Sequence, residues 1–457
     1  MKALAFSFSL LACLIAFGQQ DTSKTITQKL DEFLKSAVTA NKFNGTAIVA
    51  QKGQILLSKG YGFKNVAANT LNDTNSIFQI GSITKSFTAI VILQLQEQGK
   101  LSVQDKLSKF FPDYPQGDKI TIQHLLTHTS GIYNYTDDID ENDTAIVCYP
   151  VSKDRVLAVF KNKQPAFRAG KYFQYSNSGY FLLGMIIEKI TGMPYEAVVR
   201  QIIFNQLQMN HSGFDFKNMA DANKTQGYVL LTKDTIKVNY TIDSTVYFSA
   251  GAMYSTTNDM YKWAQAISSH SLLTELSWKQ AFTPVKGNYG YGFKIKNTIY
   301  GKKYISHDGG LLGYTSDFIY FPDDDVTIIL LNNTGNYGIS LSPVSMWVSA
   351  IVFNKPYSNW MTTSANFTDN DSALNKYCGT YKSDTKGKIF IASKNGRLIA
   401  MENSEQSLPE KITLVSETKL YFNDYNISAD LIKDSNDKIL KLIVHQIGVD
   451  IEFTKIN

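Results

Sequence analysis

The stretch FQIGSITKSFTAI, residues 78–90, begins a segment in which apolar residues dominate as far as Gln98. This pattern predicts a mostly buried helix over Ser82–Gln98, ended by Gly99. Ser82 and Lys85 stand three positions apart at its start, so they share one face. Free backbone N–H groups at a helix N-terminus favour negative charge on a serine oxygen. A lysine desolvated by apolar neighbours has a lowered pKa and can act as a base.

An ordinary structural explanation fits the same residues, namely a capping serine followed by a solvent-exposed lysine. The spacing Ser-x-x-Lys also recurs in turn-rich parts of the C-terminal region, at Ser383/Lys386, Ser416/Lys419 and Ser435/Lys438. The spacing alone therefore does not identify a catalytic pair.

Strand patterns occur before and after a helical middle region. Gly45–Ala50 and Ile55–Ser58 are rich in β-formers and are joined at Lys52-Gly53, which predicts a hairpin. Later strands are predicted at Tyr289–Lys296, Tyr304–Ser306, Ser316–Phe321 and Val326–Leu331. Helices are predicted at Ile26–Val38, Ser152–Lys161, Ser178–Thr191, Tyr195–Leu207 and Ser340–Phe353. The order predicts an α+β domain over residues 21–353, with one antiparallel sheet flanked by helices and a helical subdomain beside it.

The composition changes after Phe353. Residues 354–371 are polar, rich in asparagine and contain Pro356, which is typical of a linker. Short alternating runs follow, and Asn395-Gly396 between two of them is a strong hairpin signal. Residues 372–457 are therefore predicted to form a separate small antiparallel β-barrel domain.

The N-terminus resembles a secretory signal. Lys2 precedes the apolar run Ala3–Phe17, and Gly18 completes a small-x-small cleavage site, so residues 1–18 are predicted to be a signal peptide. The run is too short for a stable membrane span. An exported protein, periplasmic or secreted, is expected; a lipoprotein signal ending at Cys13 is the minor alternative.

The composition argues against nucleic-acid binding but does not decide whether the two remaining cysteines form a disulfide. The chain has 457 residues, 44% of them hydrophobic and 19% charged, with a formal charge of +5 and scattered basic residues, so no nucleic-acid partner is expected. Only Cys148 and Cys378 would remain after cleavage. Export permits a disulfide between them, but spacing cannot establish one, and two free, buried thiols are expected.

Two further motifs carry polar chemistry. Tyr175-Ser176-Asn177 precedes an apolar helix; a tyrosine can relay a proton and an asparagine can hold an amide, although a capping turn is the plain alternative. His307-Asp308-Gly309-Gly310 follows the run Lys303–Ser306, where glycines at a strand end would let a ligand approach the backbone, unless they form a simple hairpin.

The three motifs occur in an order and in sequence contexts that are typical of one protein family. The chain resembles the serine β-lactamase and penicillin-binding-protein family, whose signature is S-x-x-K, then Y-x-N or S-D-N, then K-T-G. The likeness is to the branch with class C β-lactamases, D-alanyl-D-alanine carboxypeptidases, esterases and D-aminopeptidases. The supporting stretches are FQIGSITKSFTA, ITIQHLLTHTSGI (120–132), FQYSNSGYFLLGMIIEKITG (173–192), SAGAMYSTTNDMYKW (249–263) and HDGGLLGYTS (307–316). The C-terminal domain resembles the lipocalin-like appendage of some members.

The resemblance implies roles for named residues. Ser82 would be the nucleophile, and Lys85, alone or with Tyr175, would take its proton. Asn177 would position the substrate amide. The backbone N–H groups of Ser82 and Gly310 would bind the oxyanion.

One departure from the signature concerns the substrate. His307-Asp308-Gly309 replaces K-T-G, so His307 and Gly309 would border the substrate without a fixed positive charge. An Asp308 that pointed inward would repel a carboxylate. We therefore expect neutral or amine-bearing substrates to be preferred over carboxylate-bearing ones.

The resulting expectation is an exported serine hydrolase that acts through an acyl-enzyme on a small peptide, amide or ester, with peptidoglycan fragments among the candidate substrates. A true class C-like β-lactamase and a catalytically silent binding or scaffold protein are the alternatives. No cofactor and no metal are expected: His124 and His128 lie four apart on a predicted helix, but no third ligand is evident, and His124 is expected to pack or cap.

Overall fold

The computed structural model describes residues 24–139, 147–335, 340–361, 371–403 and 409–456. They form an α+β part built on a six-stranded antiparallel sheet, followed by a closed eight-stranded barrel. The predicted fold class is confirmed. The predicted signal peptide lies outside the described residues, as do residues 362–370 of the predicted linker. Within the described residues, no helix has the length and apolar character needed to cross a membrane.

The α+β part contains one large sheet and three short pairs of strands. Its strands are β1 Gly45–Gln51, β2 Gln54–Tyr61, β3 Phe63–Asn65, β4 Thr70–Leu71, β5 Phe78–Gln79, β6 Tyr228–Leu231, β7 Ile236–Val238, β8 Tyr254–Ser255, β9 Lys294–Asn297, β10 Lys303–Leu311, β11 Tyr314–Phe321 and β12 Val326–Asn332. The large sheet has the order β2-β1-β12-β11-β10-β9. The predicted β1–β2 hairpin is confirmed.

Helices cover both faces of this sheet, and one further short helix, the last in the chain, packs on the barrel. They are α1 Ile26–Thr39, α2 Thr84–Glu97, α3 Ile122–Leu126, α4 Lys153–Phe160, α5 Asn177–Thr191, α6 Tyr195–Val199, α7 Asn205–Leu207, α8 Ser244–Gly251, α9 Thr257–Ser268, α10 Glu275–Ala281, α11 Ser342–Val352 and α12 Asp371–Leu374. A π-helical turn, Arg200–Phe204, links α6 to α7. Short 3-10 turns lie at Gly81–Ile83, Leu107–Lys109, Tyr135–Asp138 and Asn375–Tyr377.

Alternation along the strands divides the sheet into two faces. Phe318 of β11 and Ile329 of β12 belong to the core shared with α2 and the middle helices. Their neighbours Ile319 and Ile328 belong to a second core, which includes α1, α11 and the barrel interior. We call these two sides the helical face and the back face of the sheet.

The C-terminal barrel is an up-and-down barrel of eight strands. These are β13 Gly379–Ser383, β14 Gly387–Lys394, β15 Arg397–Glu402, β16 Glu410–Ser416, β17 Lys419–Phe422, β18 Ile427–Lys433, β19 Ile439–Gln446 and β20 Val449–Lys455. Each strand pairs with the next, and β20 pairs with β13 to close the ring. The predicted Asn395-Gly396 turn is confirmed, with positive φ at both residues and a Lys394–Arg397 pair behind it.

The barrel packs on the back face of the sheet. The Trp347 indole on α11 donates to the Tyr425 carbonyl at 2.8 Å, and Lys42 pairs with Asp424 at 2.6 Å. The described part of the predicted linker is also packed: Trp360 is 5% exposed and its N–H donates to Ser36 on α1. These contacts place the barrel on the side of the sheet away from the middle helices.

Three details of the predictions are wrong. The strand predicted at Tyr289–Lys296 begins only at Lys294, because Gly292 takes a positive φ of 77°. The His307–Gly310 motif lies inside β10 rather than after a strand end. Cys148 and Cys378, the cysteines among the described residues, are not joined by a disulfide, as expected, but both are only partly buried.

Candidate active site

Ser82 lies on a short turn in front of α2. The turn Gly81–Ile83 is 3-10 helical, so the helix predicted from Ser82 begins as α-helix only at Thr84. Gly81 has φ 51°, and a Cβ on it would stand 2.8 Å from the Gly310 amide nitrogen. Only glycine suits both the backbone and the close approach. Ser82 is left partly exposed beside the Gly310 backbone.

Lys85 is fully buried directly below Ser82, with 0% exposure. Its Nζ lies 2.9 Å from Ser82 Oγ, 2.7 Å from Asn177 Oδ1 and 2.7 Å from the Ala250 carbonyl oxygen. The alternative of a solvent-exposed lysine is therefore wrong. Three polar atoms, drawn from three separate segments, surround one amine.

The three contacts of the Lys85 amine differ in chemistry. The Asn177 and Ala250 oxygens can only accept, so they take two N–H bonds from the amine. A neutral amine then has its lone pair free toward Ser82, whose hydroxyl can donate to it. Burial lowers the pKa of Lys85 well below its usual range; Asp308 opposes this effect and Lys294 adds to it. The arrangement can transfer a proton from Ser82 to Lys85.

Asn177 holds its amide by contacts on both ends. Its Nδ2 donates to Thr136 Oγ1 at 2.9 Å, and its backbone N–H donates to Asn134 Oδ1 at 2.8 Å. Asn134 also donates to Thr136 Oγ1 at 2.7 Å. These bonds direct Asn177 Oδ1 toward Lys85, so the side-chain amide is engaged with the amine rather than free in the cleft.

Tyr175 closes the same cluster from the side. The Lys85 amine lies 4.8 Å from the centre of its ring. Desolvation raises the pKa of Tyr175, while a hydrogen bond with Ser82 lowers it. The net shift is upward, so the phenol stays protonated at neutral pH and can donate a proton but does not act as a tyrosinate base.

The Ala250 carbonyl was not predicted as part of the site. It lies in α8, where Phe248 has φ 43° and ψ −128° and bends the helix. Ser249 braces this bend, because its Oγ donates to the Tyr180 carbonyl at 2.8 Å. A backbone acceptor has no side-chain signature, although the stretch SAGAM that contains it was among the quoted motifs.

His307 borders the cluster on the helical face of the sheet, where it is paired with Phe318. Its Nδ1 lies 2.6 Å from the Asp308 carbonyl oxygen, which can only accept, so Nδ1 carries the proton. Nε2 then accepts from the Tyr289 hydroxyl at 2.8 Å. Burial lowers the pKa of His307, and nearby Asp308 only partly offsets this. The ring is therefore neutral, with both nitrogens engaged.

Asp308 does not point toward Ser82. It is paired across the strands with Asp317, on the back face, and it forms an ion pair with Lys294 of β9. The expected repulsion of a substrate carboxylate by Asp308 therefore loses its geometric basis. The preference for uncharged substrates has to come from the neutral His307.

The two glycines of β10 serve different purposes. A Cβ on Gly309 would lie 2.0 Å from the Ile80 carbonyl oxygen and 2.4 Å from Ser316 Oγ, whereas a Cβ on Gly310 would meet nothing within 4 Å. Gly309 thus allows β10 to pass against the segment that carries Ser82. Gly310 is exposed at the open part of the strand, beyond the residues that pair with β9.

Replacing Gly309 by alanine is expected to destabilise the fold by about 1–3 kcal/mol, since an inserted methyl group must displace backbone. Urea denaturation of Gly309→Ala measures the loss. Gly310→Ala is the matched control, with an expected change below about 0.5 kcal/mol. Equal midpoints for the two variants would contradict the close approach at Gly309.

The histidine pair considered for a metal is divided between two roles. His124 Nδ1 accepts the Thr121 N–H at 3.2 Å in a capping box, which confirms the expected capping. His128 lies beyond the end of α3 with φ 55°. Across the described ranges, no group of three or more His, Cys, Asp and Glu side chains is arranged to hold a metal ion.

Comparison with known proteins identifies the family. The model of the Beta-lactamase family matches residues 28–339, which is most of the chain. The protein belongs to the Beta-lactamase family. The match covers the sheet, the middle helices and the cluster around Lys85, and it ends before the barrel.

Relatives of this Beta-lactamase family protein include a penicillin-binding protein of Bacillus subtilis (strain 168), 30% identical over 69% of this chain and 74% of its own. A teichoic acid D-alanine hydrolase of Staphylococcus aureus (strain MRSA252) is 26% identical over 72% of this chain and 79% of its own. The octameric penicillin-binding protein homologue from Pyrococcus abyssi has a similar structure, with a TM-score of 0.67 and 25% identity over 94% of this chain and 99% of its own. The last likeness extends through the barrel.

The Beta-lactamase family fold thus brings together Ser82, Lys85, Tyr175 and Asn177, and sets His307, Gly309 and Gly310 along one side of them. The sequence did not predict the Ala250 carbonyl, the Asn134–Thr136 support, or the Tyr289 partner of His307. Thr136 and Asn134 lie just after the quoted stretch 120–132, in a short turn with no motif of its own.

Proposed function

We propose that this protein is an exported serine hydrolase that works through an acyl-enzyme on Ser82. The observation that carries the proposal is the position of the Lys85 amine. It is buried, it is hydrogen-bonded to two carbonyl oxygens, and it lies 2.9 Å from Ser82 Oγ. A lysine so placed is a base at neutral pH without help from a histidine. Family membership and a relative named as a hydrolase support the same conclusion.

The reaction follows from these positions. Ser82 Oγ attacks the substrate carbonyl carbon as its proton passes to Lys85 Nζ. The oxyanion binds the backbone N–H groups of Ser82 and Gly310. The proton then passes from Lys85 through Tyr175 to the leaving alcohol or amine, and the substrate C–O or C–N bond breaks. Water attacks the acyl-enzyme, its proton returns through the same groups, and Ser82 Oγ is released with its proton.

The charge at the cleft supports a proposal for the substrate class. His307 is neutral, and the Lys294 ammonium near it is paired with Asp308 on the back face. No fixed positive charge in this arrangement would bind a carboxylate on the leaving side. We propose esters or amides of D-amino acids and small peptides that lack this carboxylate, in keeping with D-aminopeptidase- or esterase-like activity.

Labelling of Ser82 tests the mechanism. Intact mass spectrometry after reaction with a fluorophosphonate should find one adduct per chain, on the peptide that contains Ser82, and none in Ser82→Ala. Ser86→Ala, one turn further along α2 at a residue whose Oγ donates to the Ile83 carbonyl, is the matched control and should still label. An unlabelled wild-type chain would favour a silent binding protein.

A substrate panel separates the remaining alternatives. The kcat/KM values of a simple ester and of a D-amino-acid amide should both exceed the kcat/KM value of a cephalosporin. A clear advantage for the cephalosporin would favour a true β-lactamase and contradict the role given to neutral His307.

A further inference from the structure

His128 lies beside Tyr175 and contacts three consecutive residues, 174–176. Its backbone oxygen accepts the Gln174 N–H at 2.9 Å, and its Nδ1 accepts the Ser176 N–H at 3.1 Å. Its ring lies against the Tyr175 ring at a tilt of 34°, with centres 4.2 Å apart. The residues before and after Tyr175 are thus both bound to one histidine, which also covers the phenol ring between them.

The imidazole of His128 is held in one protonation state. Because Nδ1 accepts from a backbone N–H, the ring proton of the neutral form must be on Nε2. His128 is 1% exposed, and burial lowers the pKa of its imidazole well below the usual range. In a protonated ring Nδ1 would carry a hydrogen that faces the Ser176 N–H, and the hydrogen bond between them would be lost.

The backbone at His128 is shaped for this contact. The residue follows the C-terminus of α3 in the left-handed region, φ 55°, which costs a non-glycine residue about 1–2 kcal/mol. Capping of the α3 C-terminus alone would not require the His128 ring. The Thr129 N–H already donates to the His124 carbonyl oxygen at 2.9 Å.

We propose that His128 is a positioning residue for Tyr175: its Nδ1 acceptor and backbone oxygen fix the segment 174–176 so that the phenol reaches both Ser82 and the leaving group. This inference rests on the proposed function, because it assigns Tyr175 the transfer of a proton to the leaving group. A displacement of about 1 Å at such a group can cost about 10²-fold in rate.

Two substitutions separate the acceptor from the ring. In His128→Asn, Oδ1 can replace Nδ1 as the acceptor, but the ring is lost. In His128→Phe, the ring remains and the Ser176 N–H loses its acceptor. Near-UV circular dichroism and thermal unfolding report how much of each variant is folded, and rates are compared per folded chain.

The readout is the dependence on the leaving group. A p-nitrophenyl ester leaves without a proton, whereas a methyl ester of the same acid needs one. Both esters give the same acyl-enzyme, so acylation is compared through kcat/KM. His128→Phe should lower kcat/KM for the methyl ester about 10–100-fold, and lower kcat/KM for the p-nitrophenyl ester by less than about threefold. His128→Asn should recover most of the methyl-ester rate.

Equal losses on the two esters, or the same rates for the Asn and Phe variants, would overturn the positioning role. The fluorophosphonate reaction of the wild-type chain keeps the two claims apart. If the wild type does not label at Ser82, the proposed function fails and this inference fails with it. If the wild type labels and His128→Phe hydrolyses the methyl ester at the wild-type rate, only this inference fails.

Discussion

Lys85→Met is expected to lower the rate of Ser82 acylation by about 10²–10⁴-fold, the usual contribution of a general base. Methionine fits the buried space but has no lone pair that can accept the Ser82 proton at this pH. Stopped-flow or timed labelling with a fluorophosphonate measures the rate directly. The loss arises in the chemical step, so the KM for ester substrates should change far less than kcat.

Two further substitutions sharpen the Lys85 result. Lys85→Arg introduces a permanent cation that cannot deprotonate, so it should be as slow as Lys85→Met. Lys100→Met, an exposed lysine just after the end of α2, is the matched control and should label at the wild-type rate. An active Lys85→Arg variant would contradict the account, because it would mean that positive charge, and not a base, is required at this position.

Asp317→Asn is expected to remove a large pH dependence of stability. Asp317 is 3% exposed on the back face of the sheet and is paired across the strands with Asp308. Burial, with a smaller contribution from the Asp308 charge, raises the pKa of Asp317 from 3.8 to about 7. The folded protein therefore holds a proton on this carboxyl that the unfolded chain releases near pH 4.

The sign of the effect follows from that proton. The stability contributed by the protonated carboxyl is fully present below about pH 4 and is lost as pH rises through about 7. Over this range the unfolded chain has already released the proton that the folded protein still holds, so a rise in pH favours unfolding. A shift of this size corresponds to up to about 4 kcal/mol. Urea denaturation at pH 5 and pH 8 should find a smaller fall in unfolding free energy for Asp317→Asn than for the wild type.

Asp234→Asn serves as the control, since Asp234 is exposed near the turn between β6 and β7. Its stability should follow the wild type at both pH values. If Asp317→Asn also follows the wild type, the carboxyl is ionised in the fold at pH 5, and its place beside Asp308 has been misjudged.

Local chemistry was the part of the site that the sequence could predict. Ser82 and Lys85 are three residues apart, so helical spacing alone placed them together. Tyr175 and Asn177 lie ninety or more positions beyond Lys85, and no periodicity brings them to it; the family resemblance did so. The sequence therefore predicted the site in two steps. Helical spacing placed Ser82 beside Lys85, and the family resemblance added Tyr175 and Asn177.

Backbone geometry was the part that the sequence could not predict. Two consecutive glycines suggested that a strand ended at Ser306, because glycine is poor in strands. In the structure β10 continues through them, and Gly309 is needed because the strand passes against the Ile80 carbonyl. The Ala250 oxygen and the His128 carbonyl are backbone atoms, and their positions depend on bends at residues with positive φ rather than on side-chain identity.

The barrel was predicted as a domain but not strand by strand. The runs at β14, β15, β19 and β20 alternate between buried and more exposed residues, whereas β17 does not. The strand β18 carries Asp430 in its middle, a residue depleted from strands. Asp430 is tolerated because it faces outward and pairs with His445 of β19 at 3.0 Å. Closure between β13 and β20 joins residues over seventy positions apart, which local patterns do not report.

The central claim is that Lys85 is an uncharged base at neutral pH, aimed at Ser82. The rate of Ser82 labelling by a fluorophosphonate, measured from pH 5 to pH 10, tests it most directly. The account predicts a rate that falls on the acid side as the amine takes up a proton and is already level through pH 8–9. A rate that keeps rising about tenfold per pH unit up to pH 10 would contradict it, because an ordinary lysine with a pKa of about 10.4 would then govern the reaction.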